Sequence, residues 1–296
     1  FENTIIERIN IPSKVSHIFD KAFFNCNFLQ YVDISDESRL KMIDESSFAF
    51  TDLSKIKIPN EVLKIGNTAF SGCENLEIIE IGEESKLLYI GEYAFALCSK
   101  FPDKIQLPSS LKTIGEGAFS GCSGFNGKLT ILSQLTSIAN KLFQNCSGLN
   151  NEGFSIPENV NVIGDKAFYG CKNFTGSLTI PQNVKEIGDS AFYGCSGFNS
   201  EIFLSNGQLK IINDYAFYGC YNFKRQLNIP ECVQSIGSGA FSGCSNFTSL
   251  SMKCNIKSIS NNLFENCSGF YCELSIPKNV TSIGEKAFYG CCNFYG

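Results

Sequence analysis

The 296-residue sequence has no tryptophan, two methionines and a single histidine, His17. One histidine, together with the lack of any C-x-x-C spacing, disfavours a zinc site. The phosphate-loop, dinucleotide-binding, zinc-protease and nucleophile-elbow motifs are also absent, and no recurring pair of carboxylates suggests an acid and a base. We therefore predict no enzymatic activity, no cofactor and no metal, and we interpret His17 as a structural residue.

A strong excess of charge of either sign is also lacking. The chain has 24 basic and 29 acidic residues, a net charge of −5, and these are interspersed without a basic stripe. Nucleic acid is therefore a disfavoured partner. One acidic run is interpreted as a solvated face, because it lacks metal-ligand spacing; it comprises Glu74, Glu77, Glu80, Glu83 and Glu84. No segment reads as a signal peptide or a membrane span, so direct membrane insertion is not expected.

What the sequence does contain is a repeat, seen clearly in Ile187–Cys195. Alignment on its Phe gives twelve copies spaced by 22 to 25 residues: Phe23, Phe48, Phe70, Phe95, Phe119, Phe143, Phe168, Phe192, Phe217, Phe241, Phe264 and Phe288. A period in this range is typical of a solenoid, in which each repeat packs on its neighbours.

Two further columns of the repeat indicate strands. An Ile stands five residues before every repeat Phe, and farther upstream lies an apolar-x-apolar pair with a period of two. Examples of the pair are Ile9/Ile11, Phe154/Ile156, Leu178/Ile180 and Leu274/Ile276. A Pro often follows the pair, as at Pro181, and ends each strand because it cannot donate a ladder hydrogen bond.

The Ala-Phe segment is predicted to form one or two helical turns. Two residues after the Phe stands Gly in seven copies and Asn in three, the preference of a left-handed residue at a helix end, with Phe50 and Leu97 as exceptions. A Cys follows in eleven copies, and Thr51 replaces it in the remaining one. These columns predict that the Phe and the Cys point inward.

The repeat resembles the BspA-like, Treponema pallidum-type leucine-rich repeats of surface proteins in anaerobic bacteria and parasitic protists. Residues 176–181, followed by Ala191–Cys195, are most similar to the trichomonad members. The repeat and the resemblance together predict an α/β solenoid of about twelve coils. A parallel sheet of short strands would line the concave face, with short helical turns and extended segments elsewhere. We expect residues 1–296 to form a single solenoid, and we interpret the chain as a fragment lacking terminal caps, since it begins without Met and ends within a repeat.

The fifteen cysteines would suggest a disulfide framework if eleven of them did not occupy one inward column. Equivalent side chains in stacked coils point the same way, so we predict buried, reduced thiols there. Cys232 and Cys254 lie in turns after consecutive strands, and the sequence leaves open whether they pair. Asn173, Asn246 and Asn279 are candidate glycosylation sites in exposed turns, whereas the sequons at Asn145 and Asn266 are interpreted as by-products of the repeat.

Ligand contacts are expected from the middle residue of each strand, which points away from the core. The candidate site has small polar residues around one aromatic: Thr130, Ser155, Thr179, Phe203, Asn228, Ser251 and Ser275. Phe203 is either an exposed anchor or a residue turned inward by an irregular strand. Tyr169, Tyr193 and Tyr218 occupy consecutive coils and would stack along the solenoid or face a partner.

The resemblance implies an extracellular adhesion or recognition ectodomain at a cell surface, with a protein or glycan of a host or neighbouring cell as its partner. Two alternatives remain open at this stage. The chain could be a self-associating surface scaffold, or an intracellular protein-interaction module. None of the repeat columns distinguishes the three, because they are core positions and carry no information about the ligand.

Overall fold

The computed structural model describes residues 1–101, 106–126, 134–150 and 154–295. The chain divides into two compact units. Unit 1 comprises Phe1–Gly127 and Ala139–Leu149, and unit 2 comprises Lys128–Ile138 and Asn150–Gly296. Each unit is a stack of parallel-stranded coils. That residues 1–296 form one solenoid domain remains a prediction.

One set of strands forms at the predicted apolar-x-apolar pairs. With strands numbered in chain order, these are β1 (Arg8–Ile11), β3 (Tyr31–Ile34), β5 (Lys55–Ile58) and β7 (Ile78–Ile81) in unit 1, and β12 (Leu178–Ile180), β14 (Ile202–Leu204), β16 (Arg225–Ile229) and β18 (Phe247–Met252) in unit 2. They pair in parallel as β1–β3, β5–β7, β12–β14 and β16–β18. We call the solvent-facing side of these strands the strand surface.

A second set of two-residue strands ends on the Ile column. These are β2 (His17–Ile18), β4 (Met42–Ile43), β6 (Lys64–Ile65), β8 (Tyr89–Ile90) and β9 (Thr113–Ile114) in unit 1, and β10 (Ser137–Ile138), β11 (Val162–Ile163), β13 (Glu186–Ile187), β15 (Ile211–Ile212), β17 (Ser235–Ile236), β19 (Ser258–Ile259) and β20 (Ser282–Ile283) in unit 2. They form two five-stranded parallel sheets and the separate pair β19–β20. Over its described residues the chain makes about 11 solenoid turns, close to the predicted number of coils.

The predicted helical turns are wrong, because the described residues contain no helix. In the coil around Phe192, the N–H groups of Ala191, Tyr193 and Cys195 donate three residues back along the chain, at 3.1–3.2 Å. The N–H groups of the alternating residues donate to the next coil instead; the bond from Phe192 to the Ala216 carbonyl is 2.8 Å. The α/β description is therefore corrected to an all-β solenoid.

Left-handed residues explain why this segment cannot continue as a helix. Gly194, two residues after Phe192, has a φ of 68°, as predicted, but Ser190, two residues before Phe192, also has a positive φ of 53°. The same pair of positions is left-handed in neighbouring coils, for example at Lys166 and Gly170. Two left-handed residues four positions apart bend the chain into successive tight turns and prevent a run of α-helical φ angles.

The Phe column forms the centre of each unit. Successive rings stack nearly parallel at centroid distances of 5.0–5.7 Å in unit 1 and 5.2–5.9 Å in unit 2. Phe1 is a further member that the twelve-copy alignment missed, since its ring stacks on Phe23 at 5.3 Å. Asn3 has the left-handed φ of 59° expected two residues later. A 22-residue spacing to Phe23 was the available signal.

Ten of the eleven column cysteines are buried, as predicted, while Cys291 is half-buried, and the column forms a hydrogen-bonded ladder. Each thiol of the ladder donates to the carbonyl oxygen of the repeat Phe in the preceding coil, as in Cys73 to Phe48 at 3.1 Å and Cys220 to Phe192 at 3.1 Å. Thr51 occupies the same column, but its hydroxyl donates to the Phe48 carbonyl of its own coil at 2.8 Å. Cys232 and Cys254 are free thiols, the first half-buried and the second buried.

Not every predicted pair forms a strand. Residues 154–156 and 274–276 are outside the strands, and Glu273 makes only an isolated parallel bridge to Tyr295. Phe154 nevertheless packs inward, with its ring centroid 4.7 Å from that of Phe174. The alternation therefore predicted the inward direction of Phe154 correctly without ensuring ladder pairing, whereas Ile276 in the second segment is exposed.

Candidate ligand-binding surface

The strand surface of unit 2 places Phe203 in solvent. Phe203 lies in β14, where Ile202 and Leu204 on either side are buried, and it is itself 46% exposed. The interpretation that Phe203 turns inward is therefore wrong. Thr179 of β12 lies directly beside it in the parallel register.

The other predicted site residues are divided between strands and irregular segments. Asn228 of β16 pairs with Ser251 of β18, in a register interrupted by an irregularity between Arg225 and Gln226. Ser155 and Ser275 are exposed but lie outside the strands. Thr130 falls outside the described residues. Whether these residues together bind a ligand remains a prediction.

Charge is confined to the margin of this surface. Arg225 forms a salt bridge of 3.1 Å with Glu201, which precedes β14. The middle positions Thr179, Phe203, Asn228 and Ser251 carry no charge. The strand surface of unit 2 is therefore an uncharged strip of hydroxyl and amide groups around one exposed aromatic ring.

The strand surface of unit 1 has a different chemistry. It contains a groove of about 500 Å³, with Tyr31, Asp33, Lys55, Lys57 and Glu80 among its lining residues. Lys55 pairs with Glu80 at 2.6 Å, and Lys57 pairs with Asp36. At the edge of the groove, Arg8 lies 3.6 Å from Asp33, and its guanidinium lies 4.6 Å from the centre of the Tyr31 ring. Each of these cations thus has an intramolecular partner.

The tyrosine ladder forms on the turn side of unit 2, as the sequence predicted. The Tyr169 and Tyr193 rings stack at 4.7 Å, and the Tyr193 and Tyr218 rings stack at 4.6 Å. Burial between its neighbours raises the pKa of Tyr193. Because each ring face is covered by the next ring, the ladder presents mainly ring edges to solvent, which favours a packing role.

Some bulky left-handed residues on the turns, among them Phe50 and Leu97, are followed by a glycine one coil later. A Cβ on Gly72 would lie 2.5 Å from the Phe50 ring, and a Cβ on Gly121 would lie 2.8 Å from the Leu97 side chain. Phe50 and Leu97, the exceptions in the Gly/Asn column, have φ angles of 58° and 61°. The exceptions thus keep the expected backbone, and the glycine of the next coil accommodates their side chains.

One cluster in unit 1 resembles a catalytic group in composition. The Tyr93 hydroxyl donates to Glu116 at 2.8 Å, and Lys141 lies 2.6 Å from the same carboxylate. The hydrogen bond from Lys141 lowers the pKa of Glu116, and Glu116 in turn raises the pKa of Lys141. Burial raises the pKa of Tyr93. All three groups therefore keep their ordinary charge states at neutral pH, and the cluster acts as a brace between coils.

The three candidate glycosylation sites lie in the part of the chain that the structure describes. Asn173 is exposed, Asn246 donates to Asn222 at 3.5 Å and Asn279 donates to Asn255.

Within the described ranges, no group of three or more His, Cys, Asp or Glu side chains is arranged to hold a metal ion. The same ranges contain no helix with the length and apolar character needed to cross a membrane.

The repeat geometry agrees with a known family. The family model described as "BspA type leucine rich repeat region (6 copies)" matches residues 1–77, 64–199 and 161–295, which together span almost the whole chain. The chain belongs to the BspA-type leucine-rich repeat family. This match indicates no catalytic family. None of the curated proteins matches the sequence.

Solved structures of similar proteins support the fold. A leucine-rich repeat protein from Bacteroides ovatus is 29% identical, with a TM-score of 0.75 over 97% of this chain and 77% of its own. A leucine-rich cell surface protein from Faecalibacterium prausnitzii is 25% identical, with a TM-score of 0.60 over 98% and 80%. The pneumococcal vaccine antigen PcpA is 23% identical, with a TM-score of 0.64 over 95% and 75%, and this likeness concerns the fold alone.

Proposed function

We propose that this chain is a non-enzymatic recognition module at a cell surface. It binds an extended protein segment or a glycan of a host or neighbouring cell through the strand surface of unit 2. Within the BspA-type family, we place it with the trichomonad-like members, on the residues at 176–181 and 191–195. The contact residues are those of the predicted site, with Phe203 near the centre.

The observation that carries the proposal is the exposure of Phe203. A large aromatic ring that is 46% exposed beside small hydroxyl and amide groups has the character of an interface anchor. The backbone of β14 holds the ring in place, since both neighbouring residues are buried. The ring therefore needs little ordering when a partner binds, which favours affinity.

The shape of the surface supports an extended ligand. A strip of adjacent parallel strands suits a chain of residues or sugars better than a compact cofactor, which needs an enclosing cavity. Placement outside the cell is supported by family membership and by the likeness to the F. prausnitzii cell surface protein. Glycans on Asn173, Asn246 or Asn279 are part of the same proposal.

The test is a screen with defined probes followed by a matched pair of variants. The protein is applied to a glycan array and to a displayed library of extended peptides, and enriched probes are measured by titration. Phe203→Ala is expected to weaken binding by about 1–2 kcal/mol, roughly five- to thirtyfold, with little change in melting temperature. Tyr221→Ala, at a residue 48% exposed on a turn of the same unit, is expected to retain binding.

Three outcomes would contradict the proposal. The first is that no probe is enriched. The second is that both variants lose binding equally. The third is that Phe203→Ala lowers the melting temperature and spares binding. Affinity should also change little between about 0.1 and 0.5 M salt, because no charge lines the middle row. Concentration-dependent light scattering without probe binding would favour the self-associating scaffold.

A further inference from the structure

The second sheet of unit 2 is interrupted by a cleft between the coil of β17 and the coil of β19. Its volume is about 350 Å³, and its polar lining includes Gln234, Ser235, Asn255, Lys257, Ser258 and Ser260. Buried Ile236 and Ile256 complete the lining. The five-stranded sheet ends at β17, and β19 pairs only with β20.

Ladder hydrogen bonds continue on both sides of the cleft and are missing across it. Before the cleft, Gln234 N donates to Lys210 O at 2.8 Å, and Gly237 N donates to Ile212 O at 2.7 Å. After the cleft, Thr281 N donates to Lys257 O at 2.8 Å. Across residues 234–237 and 257–260, all of them described, no backbone bond joins the two coils.

Ser260 accounts for the opening. The equivalent residues in the coils before and after are Gly237 and Gly284, where an added Cβ would come within 2.4 and 2.6 Å of the preceding coil's backbone. A Cβ in this column need not open the sheet, since Asn213 keeps its backbone bond to Ile187 O at 2.9 Å. At Ser260 the hydroxyl donates to the Ile236 carbonyl and takes the place of the backbone N–H.

The cleft is consequently rich in hydrogen-bond donors. The N–H groups of Lys257 and Ser260 have no ladder acceptor, and Lys257 is the one charged residue in the lining. The hydroxyls of Ser235 and Ser258 and the amides of Gln234 and Asn255 can also donate. Backbone N–H groups without a ladder acceptor, lining the same cleft as a cation, favour an oxyanion, because hydrogen bonds to a charged acceptor are the strong ones.

We propose that this cleft binds a compact oxyanionic ligand, with a carboxylate, sulfate or phosphate group held by the Lys257 ammonium and the backbone N–H groups of Lys257 and Ser260. The site is separate from the strand surface and does not depend on the function proposed there. The volume suits a small acidic ligand, such as a single acidic sugar residue or a free anion.

The experiment follows backbone amide resonances of the full chain during titration with sodium sulfate, sodium phosphate or sodium glucuronate, at ionic strength held constant with sodium chloride. We expect at least one probe to give saturable shifts centred on Lys257 and Ser260. Saturation by glucuronate alone would identify an acidic sugar as the ligand class, and saturation by sulfate or phosphate would identify a free or ester-linked oxyanion.

Matched variants make the test specific. Lys257→Gln should weaken binding roughly tenfold or more, because a charge-assisted hydrogen bond is lost. Lys210→Gln changes an exposed lysine in the same column where the ladder is closed, and should leave affinity within about twofold. Ser260→Gly should restore the backbone bond to Ile236, slow hydrogen exchange at residue 260 and weaken binding.

Several results would overturn the site. These are the absence of saturable shifts with all three probes, equal weakening by Lys257→Gln and Lys210→Gln, or full affinity in Ser260→Gly after its exchange has slowed. Equal weakening would mean that the anions respond to general positive charge. Lys257 is exposed, and unchanged far-ultraviolet circular dichroism of its variant would confirm that the fold is intact.

Discussion

The two units have cores of the same kind and differ in their strand surfaces. In unit 1 the outward positions of neighbouring strands carry opposite charges that pair across coils, as Lys55 with Glu80 and Arg8 with Asp33. In unit 2 the outward positions Thr179, Phe203, Asn228 and Ser251 are uncharged. Each unit has a Phe column and a Cys ladder, with the same contacts in both.

The difference shows how a parallel stack constrains its surface. Equivalent residues in adjacent coils lie about 4.8 Å apart, so like charges would repel and opposite charges neutralise each other. The charges of unit 1 therefore stabilise the stack modestly and leave little net field for a partner. The surface of unit 2 has no such pairs in its middle row, and its one aromatic ring remains available for contact.

The largest expected effect concerns the core of each unit and not its surface: the free energy of unfolding should depend on pH through the buried thiols. Burial raises the pKa of eight column thiols in the two units, to about 11 for Cys73 and about 12 for Cys146. The others are Cys98, Cys122, Cys195, Cys220, Cys244 and Cys267. An unfolded thiol loses its proton near its usual pKa of about 8.5, whereas the folded protein keeps it.

Stability should therefore be fully present below about pH 8.5 and fall as the pH rises toward the folded-state values. Each thiol contributes a slope of about 1.4 kcal/mol per pH unit, so both units are expected to unfold at alkaline pH. Urea titrations from about pH 7 to 10 measure this. Cys73→Thr, which copies the native Thr51, should reduce the slope by one proton. A flat profile across this range would contradict the buried ladder.

A smaller effect should distinguish the turns of the two units. Gly194→Ala in unit 2 introduces a Cβ at a φ of 68° with no neighbouring heavy atom within 4 Å, so it should cost about 1–2 kcal/mol of left-handed strain. Gly72→Ala in unit 1 has the same strain, and its Cβ also meets the Phe50 ring at 2.5 Å. Overpacking should add about 1–3 kcal/mol.

Urea denaturation of both variants measures the difference, and Phe50→Ala/Gly72→Ala tests its cause. The double variant should recover the excess loss, because removal of the ring leaves only the backbone strain. Equal losses in Gly72→Ala and Gly194→Ala would show that the turn of unit 1 relaxes around the new methyl group.

The repeat columns were predictable from the sequence because residues of the same type are buried at the same position in successive coils. Phe192, Ile187 and Cys195 recur at fixed spacing, and the alternation around Phe203 correctly placed Ile202 and Leu204 inside. The left-handed position two residues before the Phe was missed, because it holds residues such as Lys166, Ser190 and Tyr215 that show no glycine preference. The turn was consequently predicted to be helical.

Features that depend on contacts between two adjacent coils could not be predicted from the residue pattern within one repeat. The pairing of Phe50 with Gly72 could have been noticed only by comparing one column in successive copies. The cleft beside Ser260 depends on a hydroxyl replacing a backbone donor across coils, while Asn213 at the same column leaves the ladder closed. Residue type alone does not distinguish those two outcomes.

The smallest expected effect concerns the paired charges of unit 1. Glu61 accepts hydrogen bonds from Lys41 and Lys86, which lower its pKa from 4.5 to about 2. Because the folded-state pKa is lowered, the contribution of Glu61 to stability is present above about pH 4.3 and is lost as the pH falls through about 2. Carboxyl resonances followed by NMR during acid titration measure this directly. Lys86→Ala should raise the pKa of Glu61, whereas Lys100→Ala, which removes the partner of Glu77, should leave it unchanged. A pKa of Glu61 near its ordinary value in the wild type would mean that solvent screens this pairing of charges across coils.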